Sequence, residues 1–268
     1  MTSDFLNIIV NNKQEEIKSI KKIIPESKIR IKAFAPREKR SFFNNLAQPG
    51  PTGINIIAEI KRASPSKGLI APDLNPVELA KEYEQGGAAA ISVLTEKNYF
   101  KGSIDDLSKA RESTGLPVLR KDFIISSYQI FELAAIGADA VLLIVRILSG
   151  EQLKDYLNLC EELGLDALVE IHSEEDLENA SASGARLIGI NNRNLSSFKT
   201  DLSIAVRLVS MLDPGQIPIA ASGIKDRIDI EKNLKAGINN FLIGESLVRA
   251  KKPSDFIKSL LGTNDYRE

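Results

Sequence analysis

The sequence offers little sulfur or imidazole for chemistry. Cys160 is the only cysteine in 268 residues, which excludes an internal disulfide. It sits in a helical pattern with Leu157, Leu159, Glu161, Glu162 and Leu163, so packing is expected of it rather than catalysis. His172 is the only histidine, which excludes a multi-histidine metal site. A dominant charge is also missing. With 35 basic residues against 36 acidic ones, no global field draws the chain to nucleic acid or a membrane surface. No apolar run approaches membrane-spanning length. The run from Phe5 to Val10 follows Asp4 rather than a basic region and leads into a charged segment, unlike a secretory signal. A soluble, cytoplasmic protein is expected.

What the chain does have is a core and a rhythm. Apolar residues make up 43%, enough for a sizeable interior. Gly87-Ala88 leads into Ala90–Leu94, Gly137-Ala138 into Ala140–Ile144, Gly184-Ala185 into Leu187–Ile190, and Gly237-Ile238 into Phe241–Ile243. A second series, led by Gly115, Gly164 and Gly215, lies between them. Each glycine reads as a helix end and each short apolar run as a parallel strand buried on both faces. Helical patterns fill the gaps at Pro76–Gln85, Tyr128–Ile136, Glu151–Leu163 and Ser203–Leu212. With a first strand at Ile54–Ile60, eight strand–helix units result, and an α/β fold of the (β/α)8 TIM barrel type is expected over residues 51–268. An open doubly wound sheet is the alternative, but its glycine-rich fingerprint after the first strand is absent. Residues 1–50 stand outside the count as an N-terminal helical extension. Apolar positions from Leu6 to Ile24 suggest an amphipathic helix or two, and Arg37–Asn45 another turn of helix. The extension is either a cap over one barrel end or a packing appendage.

Functional groups of such barrels collect at the C-terminal strand ends. In Ile57-Ala58-Glu59-Ile60-Lys61, Glu59 and Lys61 share one face of the first strand. Taken alone, they read as an ion pair at a strand terminus. The other ends change that reading: Thr95-Glu96, Arg120-Lys121-Asp122-Phe123, Arg146, Glu170 with His172, Asn191-Asn192-Arg193, Ser222-Gly223 and Gly244-Glu245-Ser246. Two lysines, an arginine and two glutamates at one mouth are costly unless they serve a site. The glycine turns at Ser222-Gly223-Ile224 and Gly244-Glu245-Ser246, expected to open short helices, offer backbone N–H groups to a phosphate. The lysines argue against a divalent cation, so no metal is expected. For His172 a structural or supporting role is expected rather than proton transfer. The Ser, Lys and Gly content of residues 62–70 suits a mobile lid.

Taken together, these ends resemble those of indole-3-glycerol-phosphate synthase, the barrel enzyme of tryptophan biosynthesis, over nearly the whole chain. The most specific matches are Ala58-Glu59-Ile60-Lys61 with Ser64-Pro65-Ser66-Lys67-Gly68, Ser92–Glu96, Arg120–Phe123, Val169–His172, Gly189–Arg193 and Phe241–Ser246. One departure stands out. The family usually carries Glu-Ser-Gly at the seventh strand end, where this chain has Ala221-Ser222-Gly223.

The resemblance implies a decarboxylating lyase that takes an anionic phosphate substrate, 1-(2-carboxyphenylamino)-1-deoxyribulose 5-phosphate, without a cofactor. It implies Lys121 as general acid and Glu170 as acid/base in dehydration. Glu59 would orient the lysines, and Asn191 would hold the substrate. Lys61 would bind the carboxylate or phosphate, or share the acid role. Ser64, Ser222, Gly223, Gly244, Glu245 and Ser246 would hold the phosphate, with Arg193 and Phe123 on the carboxylate and aromatic ring. No nucleic-acid or membrane partner is expected, and the chain is expected to be a monomer or weak homo-oligomer. The rival phosphoribosylanthranilate isomerase places a cysteine at the first strand end, where this chain has Glu59 and Lys61. A barrel that binds without catalysis is the other rival, and Ala221 is the feature pointing to it.

Overall fold

Eight parallel strands hydrogen-bond in a ring, each followed by helix on the outside. The computed structural model describes residues 4–194 and 198–263; the ends of the expected 1–50 and 51–268 segments fall partly outside these. The strands are β1 Asn55–Ile60, β2 Ala90–Leu94, β3 Val118–Lys121, β4 Ala140–Ile144, β5 Asp166–Ile171, β6 Leu187–Asn191, β7 Ile217–Ala221 and β8 Asn240–Ile243. Strand β1 pairs with both β2 and β8, which closes the barrel. The expected TIM barrel is the observed fold.

Strand alternation sorts the side chains into two layers. Ile57, Leu119, Leu142, Leu168, Leu187, Ile219 and Leu242 fill the interior. Ile56, Val93, Val141, Val169, Ile188 and Phe241 face the helices. By the same parity Glu59, Lys121, Glu170, Asn191 and Ala221 point inward at the C-terminal ends. The interior below them is apolar and filled, so the charged groups meet only at one rim.

The extension covers both ends of the barrel, which neither expectation foresaw. Helix α1 (Asp4–Ile23) lies over the C-terminal mouth, and α2 (Glu26–Ala33), whose N-cap is Pro25, runs down the side. Helix α3 (Phe42–Ala47) plugs the opposite end: Phe43 N donates to Asp166 at 2.8 Å, Asn45 Nδ2 donates to the Ala89 carbonyl at 2.9 Å, and Arg186 stacks on Phe43.

The turn expected at Arg37–Asn45 begins later, at Phe42, behind the Ser41 N-cap. The reason is local. Arg37 donates to the Leu163 carbonyl, and Arg40 to the carbonyls of Arg111, Thr114 and Leu116, so those residues stay extended against the barrel. The Ser203–Leu212 pattern yields a shorter helix, Ser203–Val209.

Candidate active site

At the C-terminal rim the side chains of Glu59, Lys61 and Lys121 form one unit. Glu59 is buried, with one oxygen 2.6 Å from Lys61 Nζ and the other 2.6 Å from Lys121 Nζ. Burial alone would push its carboxyl up, but the two ammonium groups outweigh it and hold it down at about 2. For Lys121, burial favours the neutral amine, yet Glu59 and then Glu170 raise its proton affinity above that of an ordinary lysine. Lys121 is therefore a retained ammonium close to two carboxylates, a form able to donate a proton.

Two adjoining hollows share this charged seam. One is apolar, walled by Leu94 at the end of β2, by Phe100 and Phe123 from the barrel loops and by Leu142 and Ile144 of β4. Phe5, Leu6 and Ile9 of α1 and Phe198 from the loop after β6 also line it. Phe5 meets Tyr99 edge-on at 5.0 Å and Phe198 at 5.5 Å, so α1 supplies the roof. The other hollow is polar and basic, lined by Ser66, Lys67, Ser222, Gly223, Gly244, Glu245, Ser246 and Arg249.

The two glycine turns are needed for this shape. Ser222 and Gly223 both take left-handed backbone, at φ 68° and 87°. Backbone N–H groups exposed in a tight turn can form an anion-accepting concavity. A Cβ at Gly244 would run into the Glu59 carboxylate and the Lys61 ammonium, so only glycine lets the end of β8 pass that close. A short helix, Glu245–Val248, opens after β8 as expected. None opens at Gly223: the next helix, Arg227–Leu234, is capped by Asp226.

Around the seam, Asn191 Oδ1 accepts from the Arg193 backbone N–H at 3.0 Å, and Arg193 reaches Ser66 Oγ at 3.1 Å. Ser64 is buried beside the apolar hollow, its hydroxyl without a partner among the described residues. It lies in a two-residue antiparallel ribbon, Ala63–Ser64 with Gly68–Leu69, that forms part of the 62–70 loop.

All thirteen candidate site residues line one or both hollows: Glu59, Lys61, Lys121 and Arg193 at the seam, Ser64, Phe123, Glu170 and Asn191 on the apolar side, and Gly223, Gly244, Glu245 and Ser246 on the polar side, with Ser222 touching both. Other strand-end groups turn away. Glu96 is consumed by the backbone N–H groups of Asn98, Tyr99 and Phe100, which it holds at 2.7–3.0 Å. Arg120 faces the helix layer, paired with Glu132 and Asp122, and Asp122 also takes Lys13 of α1 at 3.0 Å. Arg146 pairs with Asp176. The sequence reading left open a cap over one barrel end but named no α1 residue, nor Phe100 or Phe198, as lining the site. The only available signal was the spacing of Phe5, Leu6 and Ile9 on one helix face. Among the described residues no group of three or more His, Cys, Asp or Glu is placed to hold a metal ion.

Comparison with known proteins gives a consistent result. A family described as indole-3-glycerol phosphate synthase matches residues 6–260. A protein of that name from Desulfosudis oleivorans is 56% identical over 262 residues, covering 97% of this chain and 100% of its own. Another from Syntrophobacter fumaroxidans is 51% identical over 260 residues, covering 97% and 98%. Among solved structures, thiamine phosphate pyrophosphorylase from Pyrococcus furiosus superposes with a TM-score of 0.61 at 16% identity, over 82% of this chain and 96% of that one. That likeness concerns the barrel alone.

Proposed function

The chain belongs to the indole-3-glycerol phosphate synthase family, and on that premise we propose how its barrel mouth closes an indole ring. The reaction takes 1-(2-carboxyphenylamino)-1-deoxyribulose 5-phosphate to indole-3-glycerol phosphate with loss of CO₂ and water, a step of tryptophan biosynthesis. The observation that carries the reading is the make-up of the site: an apolar aromatic hollow and a basic hollow that share a charged seam between them. The substrate has a matching make-up, with its benzoate ring, ketone and phosphate in sequence.

The benzoate ring lies under Phe5, against Phe100 and Phe123, with Arg193 toward its carboxylate. The phosphate lies in the concavity of Ser222-Gly223 and Gly244-Glu245-Ser246, with Ser64 at the junction. The ring carbon bearing the carboxylate attacks the ketone, and Lys121 gives its proton to the developing alkoxide. CO₂ then leaves, taking the carboxyl carbon from the ring. The new hydroxyl departs as water with a second proton, and a base removes the remaining proton to complete the indole. Glu170 serves this last exchange. Glu59 keeps Lys121 charged and both lysines in place, Lys61 binds the carboxylate or phosphate or shares the acid role, and Asn191 holds the substrate beside Arg193.

The extension and barrel act as a single catalytic unit, since α1 roofs the substrate. Among the described residues no helix is long and apolar enough to cross a membrane. We place the reaction in the cytoplasm, with the chain a monomer or weak homo-oligomer that needs no nucleic acid or membrane. Lys121→Met tests the assignment. Turnover to the fluorescent indole product should fall at least ~100-fold with the fold retained, the low end of what a general acid contributes. Near-normal turnover would remove Lys121 from the mechanism.

A further inference from the structure

His172 is buried one residue beyond the end of β5, and neither ring nitrogen has a hydrogen-bond partner among the described residues. A buried imidazole left this way is costly, and each such group calls for a reason. Its ring does not line either hollow, so it does not touch substrate directly. Two acceptors lie just out of range: Glu170 Oε1 is 3.5 Å from Nε2, and Asp176 Oδ2 is 3.9 Å from Nδ1.

These acceptors are not equivalent. The same Asp176 oxygen already takes the Arg146 guanidinium at 2.9 Å and the His172 backbone N–H at 2.7 Å. A neutral imidazole carries one N–H, and the nearer, less occupied acceptor is Glu170. Hydrogen bonds of catalytic groups commonly tighten only when substrate is bound. We propose that His172 is a positioning residue that donates its Nε2–H to Glu170, fixing which carboxylate oxygen is left for the substrate.

Burial keeps this imidazole neutral to lower pH than usual, with Glu170 and Asp176 opposing that and Arg146 assisting it. It therefore remains a one-proton donor at neutral pH. The charged groups around the pair are Lys121 on β3, which faces Glu170, and Arg146 after β4 and Asp176 on the helix Glu174–Ala182, which face His172, with Glu59 and Arg193 acting through Lys121.

The inference rests on the role given to Glu170 above, and the test separates the two. Because His172 is the only histidine, protein purified without a histidine tag gives a single imidazole in ¹⁵N spectra. The expected tautomer is Nε2–H, and Glu170→Gln should lower the imidazole midpoint by about one pH unit, because the neighbouring carboxylate is gone. In kinetics, His172→Leu should lower kcat about tenfold, a fraction of a full acid/base contribution, with KM nearly unchanged. It should also move the pH limb that reports Glu170 upward, because a carboxylate without its donor holds its proton more tightly. His172→Gln, which keeps a terminal N–H, should recover most of both. A proton on Nδ1, or an unmoved limb in His172→Leu, would overturn the proposal, and the spectra decide even if that variant folds poorly. Normal turnover by Glu170→Gln would instead sink the role of Glu170 and this proposal with it.

Discussion

Replacing Glu59 by Gln removes one negative charge from between two ammonium groups while keeping shape and volume. At the observed 2.6 Å separation from Lys121 Nζ, an effective dielectric of ~20 gives roughly 6 kcal/mol of attraction. Lys121 does not lose all of it. The amide oxygen still accepts a hydrogen bond, Glu170 remains, and solvent reaches part of the lysine side chain. What survives these offsets is the usual effect of one close opposite charge, about one to three pH units, or roughly 1.4–4 kcal/mol. The ammonium of Lys121, now facing Lys61 without a bridge, should give up its proton at lower pH. In the wild-type chain the acid is held charged across the alkaline assay range, so kcat should show no alkaline loss from this group. In Glu59→Gln a descending alkaline limb should enter that range. The assay is the initial rate of indole product fluorescence against pH under saturating substrate, with a thermal melt at each pH to confirm folding. A kcat that keeps the wild-type alkaline profile in the folded variant would refute the claim that Glu59 sets the charge of the general acid.

Three other outcomes follow from the same geometry. Glu59 titrates lower in the folded chain, at about 2, than the ordinary 4.5, so its stabilisation is complete above about pH 4.5 and is lost as pH falls toward 2. Acid unfolding monitored by circular dichroism should therefore begin at higher pH in Glu59→Gln than in wild type, and coincident acid transitions would contradict this. Phe5→Ala opens the roof of the apolar hollow and should raise KM about tenfold, the cost of losing part of one buried aromatic contact; an unchanged KM would detach α1 from substrate binding. Ala221→Glu returns an inward carboxylate beside Asn191 and Leu242. It should raise kcat several-fold at a stability cost of about 1–3 kcal/mol for added volume in a filled interior, and an unaltered kcat would show the carboxylate to be dispensable in this chain.

The barrel was legible because its physics is local and repeated. Each glycine that ends a helix and each apolar run buried on both faces carries its own signal, and β2, β4 and β8 begin within a residue or so of where those signals put them. The seam was legible for a related reason: a charge at the end of a buried strand is conspicuous, and parity alone aims Glu59, Lys121, Glu170 and Asn191 inward. Parity also explains the groups that went elsewhere, such as Arg120, which falls on the outward phase of β3. What could not be read were contacts made across great sequence distance by ordinary residues. Nothing about Phe5 or Ile9 distinguishes a helix that roofs a substrate from one that packs on a surface. The start of α3 was missed because the carbonyls that hold Arg37 and Arg40 extended belong to helices and loops 70–130 residues away.

The roof over the pocket is translated well before the residues that moor it. Lys13 waits for Asp122, Asn12 for the Tyr99 hydroxyl, and Phe5 for the loop after β6. Until β3 has emerged, the nascent helix presents Leu6, Ile9 and Ile17 with no surface to receive them. Vectorial synthesis thus imposes an interval in which this segment is an unsatisfied amphipathic peptide, and a ribosome stalled before it reaches Asp122 releases a chain with that stripe bare to chaperones and proteases.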